Sequence, residues 1–352
     1  MKKATRQHTK DHNTRLVLRT IFEAQELSRA DIARLTGLTR PTVSVIVGNL
    51  IADELVIETG QRISTSGKPP TLVRIKPDGR RLVALDLSGR EFRGALVNLD
   101  GRIETIVALP VHEAQGEEAL LQVYRLLELL LRTTRSPRLG LGIATPGLVD
   151  PQSGIVLRAV NLGWADLPLC DLMEDRYRLP THIANDSHMA TLAEYTYGSS
   201  RESGNLIVIR ISKGIGAGIV LDGRPFYGDG YGAGEIGHVV VAPGGLLCTC
   251  GNRGCLEMTS STRAILKSAV AAAAAGTTQL AELETITWPN FVNAVIDHDP
   301  VAVEIAVDAG RHLGTAIANL VGAYNIDNIV LTGQIAELGD ILLDAVVAEM
   351  HQ

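Results

Sequence analysis

Three stretches within the first 50 residues carry apolar side chains at helical spacing. In the first, Leu16, Val17, Ile21 and Phe22 fall on one side, and Asn13 stands where an N-cap would precede them. Ser28 caps the second, Asp31 three residues on forms an acidic variant of the capping box, and Gly37 supplies the left-handed stop. Thr39 caps the third, and Pro41 in its first turn forfeits no intrahelical hydrogen bond. Here Val43, Ile46, Val47 and Leu50 share the inward face, which leaves Arg40, Thr42, Ser44 and Val45 outward. The period then shortens to that of a strand: residues 55–59 and 71–75 read as a hairpin. Three helices followed by a hairpin predict a winged helix-turn-helix over residues 1–80, its third helix placed to read base edges in a major groove. Between the strands, residues 60–70 carry glycine, lysine and prolines, suited to an extended finger against phosphates or in a minor groove. The candidate DNA contacts are Arg29, Thr39, Arg40, Pro41, Thr42, Ser44 and Lys68.

From residue 81 strands and helices alternate. Residues 82–87 and 94–99 are apolar runs, Asp100-Gly101 is a hairpin-turn dipeptide, residues 117–133 form an amphipathic helix, and residues 139–144 form another buried strand. That alternation predicts an α/β body over residues 81–352, with ligands at strand ends.

Charge sharpens the division. The net charge is −6, yet residues 1–80 hold 14 Lys/Arg against 8 Asp/Glu, while the remainder holds 19 against 31. A basic head on an acidic body points to nucleic acid at the N-terminal end. The composition, 45% hydrophobic and 20% charged, is that of a globular chain. No apolar run approaches the roughly 18 residues of a membrane span, and residues 1–20 lack the apolar core of a secretory signal. Four cysteines, three of them clustered, fit a reducing cytoplasm better than a disulfide framework.

The cluster is the sharpest chemical signal. His238 is followed after nine residues by Cys248, Cys250 and Cys255, with Gly251 and Gly254 between the last two. One imidazole and three thiols make the donor set of a closed tetrahedral zinc site, and four protein ligands make that zinc structural. Elsewhere, Asn185-Asp186 follows the apolar residues 181–184, so the pair sits at a strand end. An aspartate there can accept from a sugar hydroxyl, and an adjacent amide both donates and accepts; the same dipeptide also caps helices.

Gly-Glu-Ile-Gly-His at residues 234–238 and Cys-x-Cys-Gly-x-x-Gly-Cys-x-Glu at residues 248–257 resemble the signature of the ROK family of repressors and sugar kinases. The resemblance covers nearly the whole chain. Residues 28–39 are close to the helix-turn-helix of its repressor branch, of the xylose and N-acetylglucosamine type, and Gly67-Lys68-Pro69-Pro70 stands where those proteins usually carry Gly-Arg-Pro-Pro. It implies a two-lobed, actin-like sugar-kinase fold with the ligand in the interlobe cleft. Asn185-Asp186 is similar to the family's Glu-Asn-Asp-Ala, with Ala184 and Ser187 as departures, and Asp186 would be the catalytic base of a kinase. The resemblance assigns sugar contacts to Asn161, Asn185, Asp186, Glu235, His238 and Glu257.

The nucleotide elements depart further. Where kinases of the family carry Asp-x-Gly-Gly-Thr-Lys, this chain has Asp86-Leu87-Ser88-Gly89-Arg90-Glu91. Lys213 replaces a threonine in the glycine loop of residues 212–218, and residues 331–334 replace a glycine run near the adenine. A carboxylate in the phosphate path disfavours nucleotide, so ATP and Mg2+ are not expected. The chain ends at Gln352, about where the family usually continues, so a truncated C-terminus is one expectation. The whole pattern predicts a cytoplasmic, non-enzymatic, sugar-responsive repressor of carbohydrate-utilisation genes. It would act as a homodimer or tetramer on a pseudo-palindromic double-stranded operator, with a sugar or sugar phosphate as effector and no membrane partner. The competing expectation is an ATP-dependent sugar kinase with an added DNA-binding head.

Overall fold

The computed structural model describes residues 6–61, 69–89, 91–111, 114–134, 136–200, 203–276 and 278–351. Lys68, and with it residues 62–68 of the expected finger, lies outside the described residues, as does Arg90. The chain forms two compact units, one of Met1–Thr145 with Pro151–Ile183, the other of Pro146–Asp150 with Ala184–Gln352.

The first unit begins with the expected three helices, Arg6–Ala24, Arg29–Thr36 and Arg40–Ala52. Their packed faces, with Val17, Ile21, Ile32, Val43, Ile46, Val47 and Leu50, close one small core with Val56 and Val73 of the wing. Asn13 is not a cap: the first helix starts at Arg6. Residues 6–13 are polar but contain neither glycine nor proline, so nothing stops the helix from extending into solvent ahead of its apolar stripe. The wing pairs Val56–Gln61 with Thr71–Ile75, and Leu27–Ser28 adds a third short strand before the second helix. That extra strand was not expected, since two residues are too few to show a period.

A five-stranded sheet follows, ordered Thr181–Asn185, Arg138–Thr145, Arg81–Asp86, Glu91–Asn98 and Ile103–Pro110. Arg81–Asp86 runs antiparallel to Glu91–Asn98 and parallel to Arg138–Thr145. The amphipathic helix Gly116–Arg132 buries Val123, Leu126, Leu127 and Leu130. The head and this sheet lie in one unit, joined by the Arg80 guanidinium donating to the Asp53 carbonyl at 3.1 Å and by Leu99 N–H donating to the Pro77 carbonyl at 3.0 Å.

The second unit repeats the pairing pattern. Leu206–Ile211 is antiparallel to Ile215–Leu221 and parallel to Ile329–Thr332, with Arg224–Phe226 at the far edge. Alternation along Leu206–Ile211 sends Ile207, Ile209 and Ile211 into the large core that includes Leu313 and Ile317 of the helix Pro300–Tyr324. It sends Leu206 and Val208 to the other face, against Tyr195 of the helix Asp186–Tyr197. No helix among the described residues is long and apolar enough to cross a membrane.

Candidate functional sites: the recognition helix, the thiol cluster and the Asp186 network

The head is pinned by local hydrogen bonds. Ser28 Oγ accepts from Asp31 N–H at 3.1 Å and donates to the Asp31 carboxylate at 2.8 Å, which lowers the Asp31 pKa. Gly37 takes φ 70°, and Thr39 accepts from Thr42 N–H to start the third helix. Arg40, Pro41, Ser44 and Val45 are exposed along its outer face, as the pattern required; Thr42 is half-buried, its hydroxyl bonded to that of Thr39. Arg29, another of the expected DNA contacts, is half-buried and paired within the head. Its guanidinium donates to Glu58 at 2.8 Å, tying the second helix to the wing.

In the second unit His238, Cys248, Cys250 and Cys255 converge, their ligand atoms all within 4.8 Å of one another. His238 Nδ1 stands 3.6 Å from Cys248 Sγ, and Cys250 Sγ stands 3.5 Å from Cys255 Sγ. Separations of this size fit four ligands at the 2.0–2.3 Å typical of zinc. Gly251 at φ 96° and Gly254 at φ 76° make the reversal, and a side chain at Gly254 would strike the Ala242 backbone. Burial and the neighbouring thiols push the Cys255 thiol up to about 12, the unfavourable crowding that a divalent cation relieves by taking thiolates.

The other His238 nitrogen, Nε2, lies 3.8 Å from Glu235. The Glu235 pKa is raised by burial first and by the like charges of Asp186 and Glu257 next, with His238 opposing; those four side chains therefore share one neighbourhood. The Glu235 side chain keeps 43% of its surface in solvent.

Asn185 caps the helix Asp186–Tyr197, accepting from Ser187 N–H at 2.8 Å and His188 N–H at 3.3 Å, and donates to the Gly147 carbonyl at 2.9 Å. Most of its hydrogen-bonding capacity goes to the fold. Glu257 is similarly committed, accepting from Ile215 N–H at 3.3 Å and from Arg263 at 3.1 Å. It lies beneath Gly214, while Ser187 and Thr191 fill the space beside Gly216 and Gly218; side chains at these three glycines would strike them. Gly216 and Gly218 thus serve close packing on the helix Asp186–Tyr197, and Gly214 makes room for the Glu257 carboxylate. Asp186 pairs with Arg210 at 2.6 Å. His188 Nε2 donates to the Ala233 carbonyl at 2.9 Å and its ring meets Tyr227 edge-on, joining the same helix to the segment that leads into Glu235.

Sequence reasoning passed over Arg210 and His188. The available signal for Arg210 was a single cation inside the otherwise apolar run of residues 206–211. Asn161 is exposed in the short turn Val160–Leu162 of the first unit. The turn after Arg81–Asp86 closes on itself, with Asp86 accepting from Ser88 N–H at 3.0 Å, and Glu91 pairs with Arg93 at 2.7 Å.

Known proteins resemble this arrangement over nearly its full length. Residues 82–352 match the ROK family model, and residues 10–57 match a winged helix-turn-helix DNA-binding model. The xylose repressor of Caldicellulosiruptor bescii is 29% identical over 97% of this chain and 88% of its own length. The crystal structure of a ROK family transcriptional regulator, homologous to the E. coli MLC protein, superposes with a TM-score of 0.86 at 30% identity, covering 98% of this chain and 88% of that one. A ROK glucokinase from Streptomyces griseus, solved with glucose and AMPPNP, gives 0.70 at 27% identity over 76% of this chain and 88% of its own. With its C-terminal 271 residues matching the family model and a DNA-binding head ahead of them, this chain belongs to the ROK family.

Proposed function

We propose that this protein is a sugar-responsive DNA-binding transcriptional repressor of carbohydrate-utilisation genes. The observation that carries the reading is the fusion itself: a capped recognition helix with Arg40, Ser44 and Val45 exposed, ahead of a ROK body. The family matches end at 57 and resume at 82, which supports a functional boundary near residue 80 even though head and first sheet share one compact unit. Two identical heads reading one operator demand repeated half-sites, so the DNA-binding form is a homodimer, or a tetramer built from dimers, on a pseudo-palindrome in the cytoplasm. Arg40 and Ser44 contact bases, while Thr39, Pro41 and Thr42 set the entry of the helix into the groove.

The effector, a sugar or sugar phosphate, is held by Asp186, Glu235 and His238. Asn185 and Glu257 mainly fix the elements that carry those groups. Zinc would be held by His238 Nδ1 and the thiolates of Cys248, Cys250 and Cys255; bound there it supplies folding energy to the loop. Because the His238 ring faces the thiols with one nitrogen and Glu235 with the other, metal-loop order and effector contact are coupled through one side chain.

The second reading, a sugar kinase, is favoured by retention of Asp186 and by the likeness to the S. griseus glucokinase. Against it stand Glu91, Lys213 and residues 331–334 at the nucleotide positions. A coupled assay over a sugar panel separates the two. The repressor reading expects no sugar-dependent ATP turnover; turnover abolished by Asp186→Asn supports the kinase.

A further inference from the structure

The third helix of the head is chemically unlike the first. Exposed positions of Arg6–Ala24 carry Lys10, Asp11, Arg15, Arg19 and Glu23, the charged cover of a helix that faces water. In Arg40–Ala52 no charged residue occurs from Pro41 to Ala52, although Pro41, Ser44, Val45, Gly48, Asn49 and Ala52 are all exposed. Pro41, Val45, Gly48 and Ala52 follow one another at steps of four, three and four. They form one neutral line down the side opposite the buried Val43, Ile46, Val47 and Leu50.

Two members of that line do nothing for the free head. Val45 leaves 63% of its surface in water, and as a β-branched residue it forms helix less readily than alanine. Gly48 stands in the helix interior, where glycine is the least favourable residue after proline. A Cβ added there would meet nothing within 4 Å among the described residues, and the backbone at Gly48 does not take a positive φ. Neither packing nor conformation therefore calls for glycine. A residue the free fold would be better without is explained by a surface that approaches closely only in a complex. Three observations favour duplex DNA as that surface: the excess of 14 Lys/Arg over 8 Asp/Glu in residues 1–80, the exposed Arg40 at the start of the helix, and the winged helix-turn-helix match over residues 10–57.

We infer that Val45 and Gly48 determine operator specificity by reading thymine. The Val45 methyls pack on the C5-methyl group of one thymine in each half-site, and Gly48 lets the helix sit deep enough in the major groove to bring them there. A neutral face suits that position, because a thymine methyl offers an apolar contact and no charge to pair. This inference rests on the DNA-binding reading above.

The test begins with full-length wild-type protein selecting its operator from a library of random duplexes. Each thymine of the selected half-site is then replaced in turn by deoxyuridine, which removes only the C5-methyl, and affinities are read by fluorescence anisotropy for wild type, Val45→Ala and Gly48→Ala. At one thymine wild type should lose about fourfold in affinity per half-site, the worth of one buried methyl, while Val45→Ala loses nothing there. Gly48→Ala should melt at or above the wild-type temperature and yet bind the selected duplex at least about fivefold more weakly, since its added methyl meets only DNA. Wild-type affinity indifferent to every deoxyuridine, or full discrimination retained by Val45→Ala, overturns the assignment. So does a Gly48→Ala variant that binds as tightly as wild type, or one that melts lower, which would make the glycine a requirement of the fold. If wild-type protein enriches no sequence at all, the DNA-binding reading itself fails, a result distinct from each of these.

Discussion

The head and the second unit are held together in different ways. In the head, the decisive bonds join near neighbours: Ser28 with Asp31, Thr39 with Thr42, and Gly37 ending one helix two residues before the next cap. In the second unit they join distant segments: Asn185 to Gly147, Asp186 to Arg210, His188 to Ala233, and Glu257 to Ile215. Local caps fix the shape of a reading element and are each worth only about 1 kcal/mol. Long-range links make several elements answer to one event, which a ligand-responsive site needs and a rigid reading head does not.

Removing the thiol cluster should break this contrast most severely. Cys255→Ala takes away a buried thiol from the proposed zinc site, and structural zinc contributes on the order of 10 kcal/mol in zinc-finger peptides. Wild type should carry one equivalent of metal by elemental analysis and the variant none, and the variant's melting temperature should fall by more than 10 °C. Metal content equal to wild type would remove the cluster from the account.

Asp299 comes next, because it combines both kinds of bonding. It caps the helix Pro300–Tyr324 through Val301 N–H and Ala302 N–H and also accepts from Thr278 and Gln279 across 20 or so residues. Burial raises its pKa, but those hydrogen bonds together outweigh burial and lower it. A depressed carboxyl stabilises the fold above its unfolded value near 3.8 and loses that contribution as pH falls through the lower folded value. Asp299→Ala should cost about 2–3 kcal/mol in urea unfolding near neutrality, and the loss should shrink in strong acid.

A head substitution should act on DNA and leave the fold nearly intact. Arg40→Ala should weaken specific operator binding by about 1–3 kcal/mol, roughly fivefold to 150-fold, with little change in melting temperature. Unchanged affinity would place the reading face elsewhere. Ser28→Ala is smaller still, about 1 kcal/mol of stability by denaturant titration.

His188 gives the finest test of the long-range links. Burial lowers its pKa, while the bond to Ala233 and the nearby Asp186 oppose that. Its neutral form is therefore the native one. The unfolded chain binds a proton near 6.5, so the stability due to this group is complete above that pH and declines as pH falls toward the folded value. His188→Gln can still donate to Ala233 and should flatten the melting-temperature profile between pH 7 and 5.

The same division explains what the sequence revealed. Caps, stop glycine and helical stripe are short-range signals, so the second and third helices appeared with their bonding residues, and only the start of the first was misplaced. The thiol cluster was readable because its three cysteines lie within eight positions and its histidine ten before the first of them. Arg210 and Asp186 are 24 residues apart on different elements, and no spacing rule connects them. The commitments of Asn185 and Glu257 were hidden for the same reason: Gly147 and Ile215 become neighbours only when the chain folds.

The central claim is that a sugar changes DNA affinity without being phosphorylated. It is tested most directly by fluorescence anisotropy of full-length protein on its operator, with and without each sugar and sugar phosphate of the panel, alongside ATP consumption in the same samples. The account predicts that at least one compound lowers operator affinity between about fivefold and a hundredfold while ATP stays constant. Operator affinity indifferent to every compound, together with sugar-dependent loss of ATP, would contradict it.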